Sequence, residues 1–225
     1  MKKLVSAAFA LSLLVGIGSA SAATLSVSGG TPINLPGNFN PGGWLNPAGI
    51  DIGSPVQVFS SANAGSGGLY VDPAGSIRLT YTYMGTEAGN TNFGDSQASW
   101  DNTPLFNNKL TPVNTSVSSL FASLGSSIVP LIFQTLGEHT GNAGATAANG
   151  GPISSSVSIA FSAVLFGNTV YAFFGDGLGD FDRDDMVLRI TATVVPLPAA
   201  GLLFPTGLAL LAYLGWRRNR RAALA

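Results

Sequence analysis

The densest group of chemically useful side chains lies between Asp176 and Asp185. Five of the eleven carboxylates of the chain fall within these ten residues: Asp176, Asp180, Asp182, Asp184 and Asp185. Like charges at this spacing repel one another unless something compensates, and Ca²⁺, a hard cation with about six to eight oxygen ligands, is the natural compensator. Because Asp180, Asp182 and Asp184 occupy alternate positions, they can converge on one ion where the loop curls. The stretch is therefore a candidate calcium site.

The stretch does not fit an EF-hand loop. Asp185 stands at the sixth position, where the turn needs Gly, and Thr191 stands at the twelfth, where a bidentate Glu belongs. A second interpretation is a solvated acidic turn between two strands, in which Asp side chains cap backbone N–H groups and Arg183 partly neutralises them. The sequence leaves both interpretations open.

The residues needed for catalysis are scarce. The chain has no Cys, and its one His is His139, in a Gly-rich segment. One imidazole cannot supply the two or three ligands that zinc needs. The Gly-x-Ser-x-Gly elbow, the P-loop and the dinucleotide fingerprint are absent from the sequence. The expectation is a non-enzymatic protein with no catalytic residue.

The elements that would position these residues are strands. Apolar and polar residues alternate over Ile77–Tyr83, Ser156–Leu165 and Met186–Val194, which is the pattern of half-buried strands. Shorter candidates are Leu25–Ser28, Val56–Ser60, Ile128–Phe133 and Thr169–Phe174. With 29 Gly and 13 Pro supplying turns, the pattern predicts an all-β, antiparallel β-sandwich domain.

The connections between these strands have their own signals. Gly167-Asn168 predicts a tight hairpin turn between two of the strands. The segments 29–55 and 141–152 are rich in Gly or Pro and read as loops. Residues Ser116–Leu124 permit one short helix, although their Ser and Val content disfavours it. No internal repeat is recognisable.

The first 22 residues have the pattern of a secretory signal peptide. Lys2 and Lys3 precede an apolar region from Leu4 to Ile17, and Ala20-Ser21-Ala22 forms a small-residue cleavage site. We expect cleavage after Ala22 and export through the inner membrane.

The segment 194–225 has the pattern of a membrane-inserted sorting segment. Eighteen uncharged residues run from Ala199 to Trp216; as a helix they would be roughly 27 Å long, close to the thickness of a bilayer core. Four arginines follow, Arg217, Arg218, Arg220 and Arg221, and the positive-inside rule keeps them cytoplasmic. We therefore expect a single transmembrane helix over 199–216 with a basic stop over 217–221.

The remaining residues, 23–193, are the right length for one domain. Six of the ten basic residues lie in the two end segments, so the domain keeps four against eleven carboxylates, a net charge of −7. An acidic domain without a basic patch argues against nucleic-acid binding. The absence of Cys means that core packing, alone or together with a bound metal, must hold this exported domain together without disulfides.

The order Val195-Pro196-Leu197-Pro198-Ala199, apolar helix, Arg cluster resembles the PEP-CTERM sorting domain of Gram-negative exported proteins, in its Val-Pro-Leu-Pro-Ala variant. The resemblance places the motif at 195–200 and implies recognition by an exosortase, a membrane-embedded cysteine transpeptidase. It further implies a protein of the cell envelope, outer surface or extracellular matrix, linked to exopolysaccharide and to biofilm or floc formation.

Two other segments are similar to the same family. The acidic stretch resembles the Gly-Asp-x-Asp-x-Asp-Asp-Met-Val ending of many of its ectodomains, and Tyr81–Phe93, with Glu87 and Asn92, resembles a Tyr-x-Gly-x-Glu-Ala-Gly-x-x-Asn segment. The alternative function is a calcium- or carbohydrate-binding adhesin. Its stacking surfaces would come from aromatic side chains that can equally be core residues: Trp44, Tyr70, Tyr81, Tyr83 and Trp100.

Overall fold

The computed structural model describes residues 22–42, 49–87, 96–136, 144–177 and 183–195, together with Leu211 and Tyr213. Strands are the regular elements of the described residues up to 195. They are β1 (Thr24–Ser28), β2 (Thr31–Asn34), β3 (Pro41–Gly42), β4 (Pro55–Phe59), β5 (Gly68–Asp72), β6 (Gly75–Glu87), β7 (Ser96–Trp100), β8 (Thr103–Asn107), β9 (Ser116–Ser123), β10 (Ser127–Ile128), β11 (Leu131–Thr135), β12 (Thr146–Ala148), β13 (Ser158–Ser162), β14 (Thr169–Gly175) and β15 (Met186–Val194).

These strands form three antiparallel sheets. The largest has the order β2-β4-β13-β14-β15-β6-β3, with β9 also paired to β6. The two smaller sheets have the orders β1-β5-β10 and β12-β11-β7-β8. The predicted all-β class with antiparallel sheets is confirmed.

One apolar core joins the three sheets. Leu79 and Phe161 of the large sheet, Val71 of β5 and Phe133 of β11 all belong to it. Phe133 stacks on Phe174 of β14 with 5.1 Å between ring centroids. The small sheets therefore cover one face of the large sheet in a sandwich-like arrangement, and each fully buried Phe or Leu contributes about 1.5–3 kcal/mol.

The opposite face of the large sheet has a second, smaller core. Leu35, Phe39 and Ile50, from the connection between β2 and β4, pack with Phe173 of β14 and Val187 of β15. Phe39 meets Phe173 edge-on, with centroids 5.6 Å apart. Strands β14 and β15 are thus covered on both faces, which is why they carry apolar residues at neighbouring positions.

The short helix that the sequence permits but disfavours over Ser116–Leu124 does not form. Residues Ser116–Ser123 form β9, in which the half-buried Val117, Ser119 and Phe121 alternate with exposed neighbours. The Ser118 hydroxyl lies 2.9 Å from the Thr80 hydroxyl of β6. Branched and hydroxyl side chains suit such a pleated surface better than a helix.

The other connections follow the sequence more closely. The hairpin at Gly167-Asn168 is confirmed: β13 pairs with β14, and Leu165 bridges to Thr169 around Gly167, whose φ is 76°. In the described residues of segments 29–55 and 141–152, the loops are interrupted by β2, β3, the first residue of β4, and β12. The chain divides into two compact units, Met1–Val194 and Val195–Ala225; the domain limits 1–22, 23–193 and 194–225 remain predictions.

Candidate functional site

The acidic stretch connects two central strands of the large sheet. Asp176 follows β14 directly, and Asp184 and Asp185 directly precede β15; residues 178–182 lie outside the described part. The three described carboxylates are buried, with exposed fractions of 3% for Asp176, 0% for Asp184 and 9% for Asp185. A buried carboxylate must have hydrogen-bond partners to be tolerated. The partners of these three carboxylates therefore indicate the role of this part of the structure.

Main-chain groups from separate segments meet these carboxylates. Asp185 Oδ2 accepts the Asp176 N–H at 2.7 Å and so closes the base of the loop. Asp184 Oδ2 accepts the N–H of Asn40, which precedes β3. The Thr86 hydroxyl of β6 donates to the Asp185 main-chain oxygen at 2.6 Å. We call these five residues, Asn40, Thr86, Asp176, Asp184 and Asp185, the acidic corner.

The acidic corner bears on the calcium hypothesis. Two of its carboxylates hold backbone N–H groups, as the acidic-turn interpretation expects. Within the described ranges, no group of three or more His or acidic side chains is placed to hold a metal ion. Asp180 and Asp182, which the alternate-position ligand set requires, lie outside the described residues. Calcium binding therefore stays a prediction.

A groove of about 300 Å³ lies beside the acidic corner. Its wall carries five hydroxyl-bearing residues: Thr31 of the edge strand β2, Ser60 directly after β4, and Ser155, Ser156 and Ser158, which lie before and at the start of β13. Arg183, half-buried, adds a guanidinium to the lining, and Ile33, Val58 and Val157 add apolar surface. This mixture of hydroxyls, one cation and small apolar patches can hydrogen-bond and pack against a small polar ligand.

Glycine lets the chain pass close to the wall of this groove. Gly177 has a φ of 72°, and a Cβ there would overlap the main-chain oxygen of Ser156. A Cβ at Gly175 would lie 3.0 Å from Ser158 Oγ and 3.2 Å from Arg183 Cγ. The two glycines therefore permit a close approach of the acidic stretch to residues 156–158, which larger residues would prevent.

The aromatic candidates for ligand stacking are mostly core residues. Tyr81 and Tyr83 are buried, while Tyr70 and Trp100 are half-buried. Trp100 packs edge-on against Tyr81 with centroids 5.7 Å apart. Burial raises the pKa of Tyr83 to about 12 and raises the pKa of Tyr81 well above its ordinary value. Trp44 lies outside the described residues.

Several predicted residues fall outside the described part of the chain. These are His139, Asn92, Asp180, Asp182, Pro196, Leu197, Pro198, Ala199, Arg217, Arg218, Arg220 and Arg221, and the side chain of Glu87. Val195 of the sorting motif is described and is half-buried. Leu211 and Tyr213 are helical and exposed, at 66% and 46%. Among the described residues there is no helix with the length and apolar character to cross a membrane.

No protein-family model, curated protein or solved structure matches this chain. The site is therefore interpreted from its own residues. Sequence reasoning identified the carboxylates but missed Asn40, Thr86 and the serines of the groove. These come from segments far apart in the chain, and no local pattern links them.

Proposed function

We propose that the chain is a non-enzymatic exported protein of the cell envelope or extracellular matrix, sorted and processed by an exosortase through residues 195–221. One observation carries the proposal. The Val-Pro-Leu-Pro-Ala motif from Val195 to Ala199 is followed by an uncharged span to Trp216 and then by four arginines. Such a span is long enough to insert in a membrane, and the arginines would hold its end on the cytoplasmic side.

The position of the last strand, β15, supports the proposal that the C-terminal sorting segment is removed. β15 ends at Val194, one residue before the motif begins, and every described strand lies upstream of it. Because β15 pairs with both β14 and β6 at the centre of the large sheet, its loss would disrupt the fold. Cleavage within the motif would leave β15 whole. A processing site at this boundary would release the β domain without unfolding it.

The acidic character of the domain suits an extracellular role. Its net charge of −7 favours solubility and disfavours binding to nucleic acid. The resemblance to PEP-CTERM proteins extends the proposal to exopolysaccharide-producing bacteria, with the exosortase and, transiently, the inner membrane as partners.

The processing proposal is tested by replacing both motif prolines, Pro196 and Pro198, with Ala in the native host. We expect the variant to accumulate as unprocessed precursor in the membrane fraction while the parent chain matures. The matched control replaces Pro32 and Pro112, two exposed prolines of the β domain, with Ala. If the motif variant matured as fully as this control, the proposal would be wrong.

A second candidate function is carbohydrate binding by the groove beside Arg183. The groove is favoured by its five hydroxyl-bearing wall residues, which can exchange hydrogen bonds with sugar hydroxyls. Titration calorimetry of the mature protein with the host exopolysaccharide tests it. Arg183→Ala should weaken binding, and Arg78→Ala, at an exposed position of β6, should not. Equal binding by both variants would argue against the groove.

Calcium remains a proposal attached to this second candidate. If the acidic stretch holds Ca²⁺, added calcium raises the thermal midpoint of the mature protein, since a ligand that binds the folded state stabilises it. Chelation by EDTA then reverses the rise. If neither added calcium nor EDTA changed the thermal midpoint, the proposal that the acidic stretch binds calcium would be wrong.

A further inference from the structure

Strand β9 forms a long open edge of the large sheet. It pairs with β6 from Ser116 to Ser123, and among the described residues it pairs with no other strand. Its eight residues, Ser-Val-Ser-Ser-Leu-Phe-Ala-Ser, include no charge, no Pro and no Gly. Leu120 is 67% exposed. An edge of this kind presents free backbone groups that another strand can pair with.

The other described sheet edges are short, contain Pro or are partly occupied. β3 and β10 have two residues each, and β12 has three. β2 contains Pro32 and β8 contains Pro104, and each proline removes a backbone donor. At β1, Gly167 accepts the Leu25 N–H at 3.0 Å. β9 is thus the edge that the described fold leaves least protected.

The hydrogen-bond phase of β9 identifies the residues that face outward. In its pairing with β6, Leu79 lies opposite Ser119 and Tyr81 opposite Val117. The same register, continued by two residues, places Tyr83 opposite Thr115, just before β9, and there the Tyr83 N–H donates to the Thr115 carbonyl at 2.9 Å. Odd-numbered β9 residues therefore direct their backbone groups towards β6. Because backbone direction alternates along a strand, residues 116, 118, 120 and 122 direct theirs outward.

We propose that β9 pairs with β9 of a second copy of this chain, antiparallel, with Ser119 opposite Ser119 across a two-fold axis. In this register residues 116, 118, 120 and 122 bond with residues 122, 120, 118 and 116 of the other copy. All the outward backbone groups of Ser116–Ala122 then find partners. The pairing continues the large sheet from one copy into the next, an isologous contact of the kind that builds closed dimers.

The side chains match in this register. On the half-buried face Val117 meets Phe121 of the other copy twice, once on each side of the axis. On the exposed face Leu120 meets Ser118. Each domain carries a net charge of −7, but β9 has no charged residue. Two copies of β9 can therefore pair without like-charge repulsion between the two strands. The same strand would be a poor match for a charged partner, which favours a second copy as the occupant.

The register is tested by single cysteines, since the natural chain has none. Ser119 would form a non-hydrogen-bonded pair with itself, with Cα atoms about 4.5 Å apart, within disulfide range. Ser116 would lie roughly 20 Å from its own copy, six residues along the strand. We expect Ser119→Cys of the full chain, purified in detergent, to form a disulfide dimer in oxygenated buffer, whereas Ser116→Cys should show little disulfide cross-linking on a non-reducing denaturing gel. Equal cross-linking of the two variants, or none in either, overturns the proposal.

A second variant tests the edge without cysteine chemistry. Leu120→Lys adds a positive charge to each exposed face of the contact and should raise the dimer dissociation constant at least about tenfold. Leu110→Lys is the matched control, because Leu110 is 82% exposed and lies outside the strands. Sedimentation of the full-length proteins in detergent gives the readout. The proposal fails if Leu120→Lys associates as tightly as Leu110→Lys.

Discussion

Replacing the buried Asn149 with Ala should destabilise the domain more than any exposed polar substitution. Its Oδ1 accepts the Leu69 N–H at 2.8 Å, and its Nδ2 donates to the Leu69 carbonyl at 2.9 Å and to the Val129 carbonyl at 2.7 Å. Its own N–H donates to the Leu131 carbonyl at 2.9 Å. Asn149 thus joins β5 of the three-stranded sheet to the chain that enters β11.

The magnitude follows from these contacts. Asn149→Ala removes three side-chain hydrogen bonds, each worth about 1 kcal/mol net, and takes away the partner that Asn149 gave to the Leu69 N–H and to the Val129 carbonyl in a buried region. The Leu69 carbonyl still accepts the Val129 N–H at 3.0 Å. The side chain is 6% exposed, so solvent cannot replace the lost partners. A loss of about 3–5 kcal/mol is expected, which for a domain of this size lowers the thermal midpoint by about 10 °C.

Asn63→Ala is the matched control for this prediction. Asn63 also makes three side-chain hydrogen bonds, to Ser60, Val58 and Thr31 at 2.7–3.2 Å, but it is only half-buried. Water can take over these partners, so a loss of about 1 kcal/mol is expected. Urea unfolding of the mature protein, followed by fluorescence, gives both values. Equal losses in the two variants would refute the reasoning that burial sets the cost.

Three further predictions concern tyrosines and a glycine. Among the described residues nothing hydrogen-bonds the buried Tyr81 hydroxyl, whereas that of Tyr83 donates to a main-chain carbonyl at 2.9 Å. Tyr81→Phe should therefore keep or raise the urea midpoint, and Tyr83→Phe should lose about 1 kcal/mol; the reverse order would contradict this. The folded pKa of Tyr83, about 12, exceeds its ordinary value of 10.0. The contribution of Tyr83 to stability is therefore constant below pH 10 and falls as the pH rises from 10 to 12; a flat urea midpoint between pH 10 and 12 would contradict this. Gly177→Ala should lower the thermal midpoint more than Gly167→Ala, because only the first places a Cβ against Ser156; equal midpoints would refute this.

The strands that could be predicted are those with long alternation. Met186–Val194 was predicted with the bounds that β15 has, because apolar and polar residues alternate from Leu188 to Val194 directly after the apolar pair Met186-Val187. The predicted strand Ile128–Phe133 is instead two, β10 and β11, with Pro130 between them. β5 was missed because it begins with Gly and ends with Asp, two residue types that are depleted in strands.

The candidate site was predictable only in part. The carboxylates were evident from their density, but their burial depends on Asn40 and Thr86, which lie far away in the sequence. The groove has the same limitation, because Thr31 and Ser158 become neighbours only through the strand order β2-β4-β13. Long-range pairing of this kind leaves no local pattern in a single sequence.

The most direct test of the proposed function is the mass of the mature protein isolated from its native host. Intact-mass spectrometry should find a chain lighter than the full 22.9 kDa, beginning at Ala23 and ending within or close to the motif 195–200. Deletion of the exosortase should restore the mass of residues 195–225. Full-length protein recovered from the soluble cytosolic fraction, with the apolar span and its four arginines intact, would contradict the account.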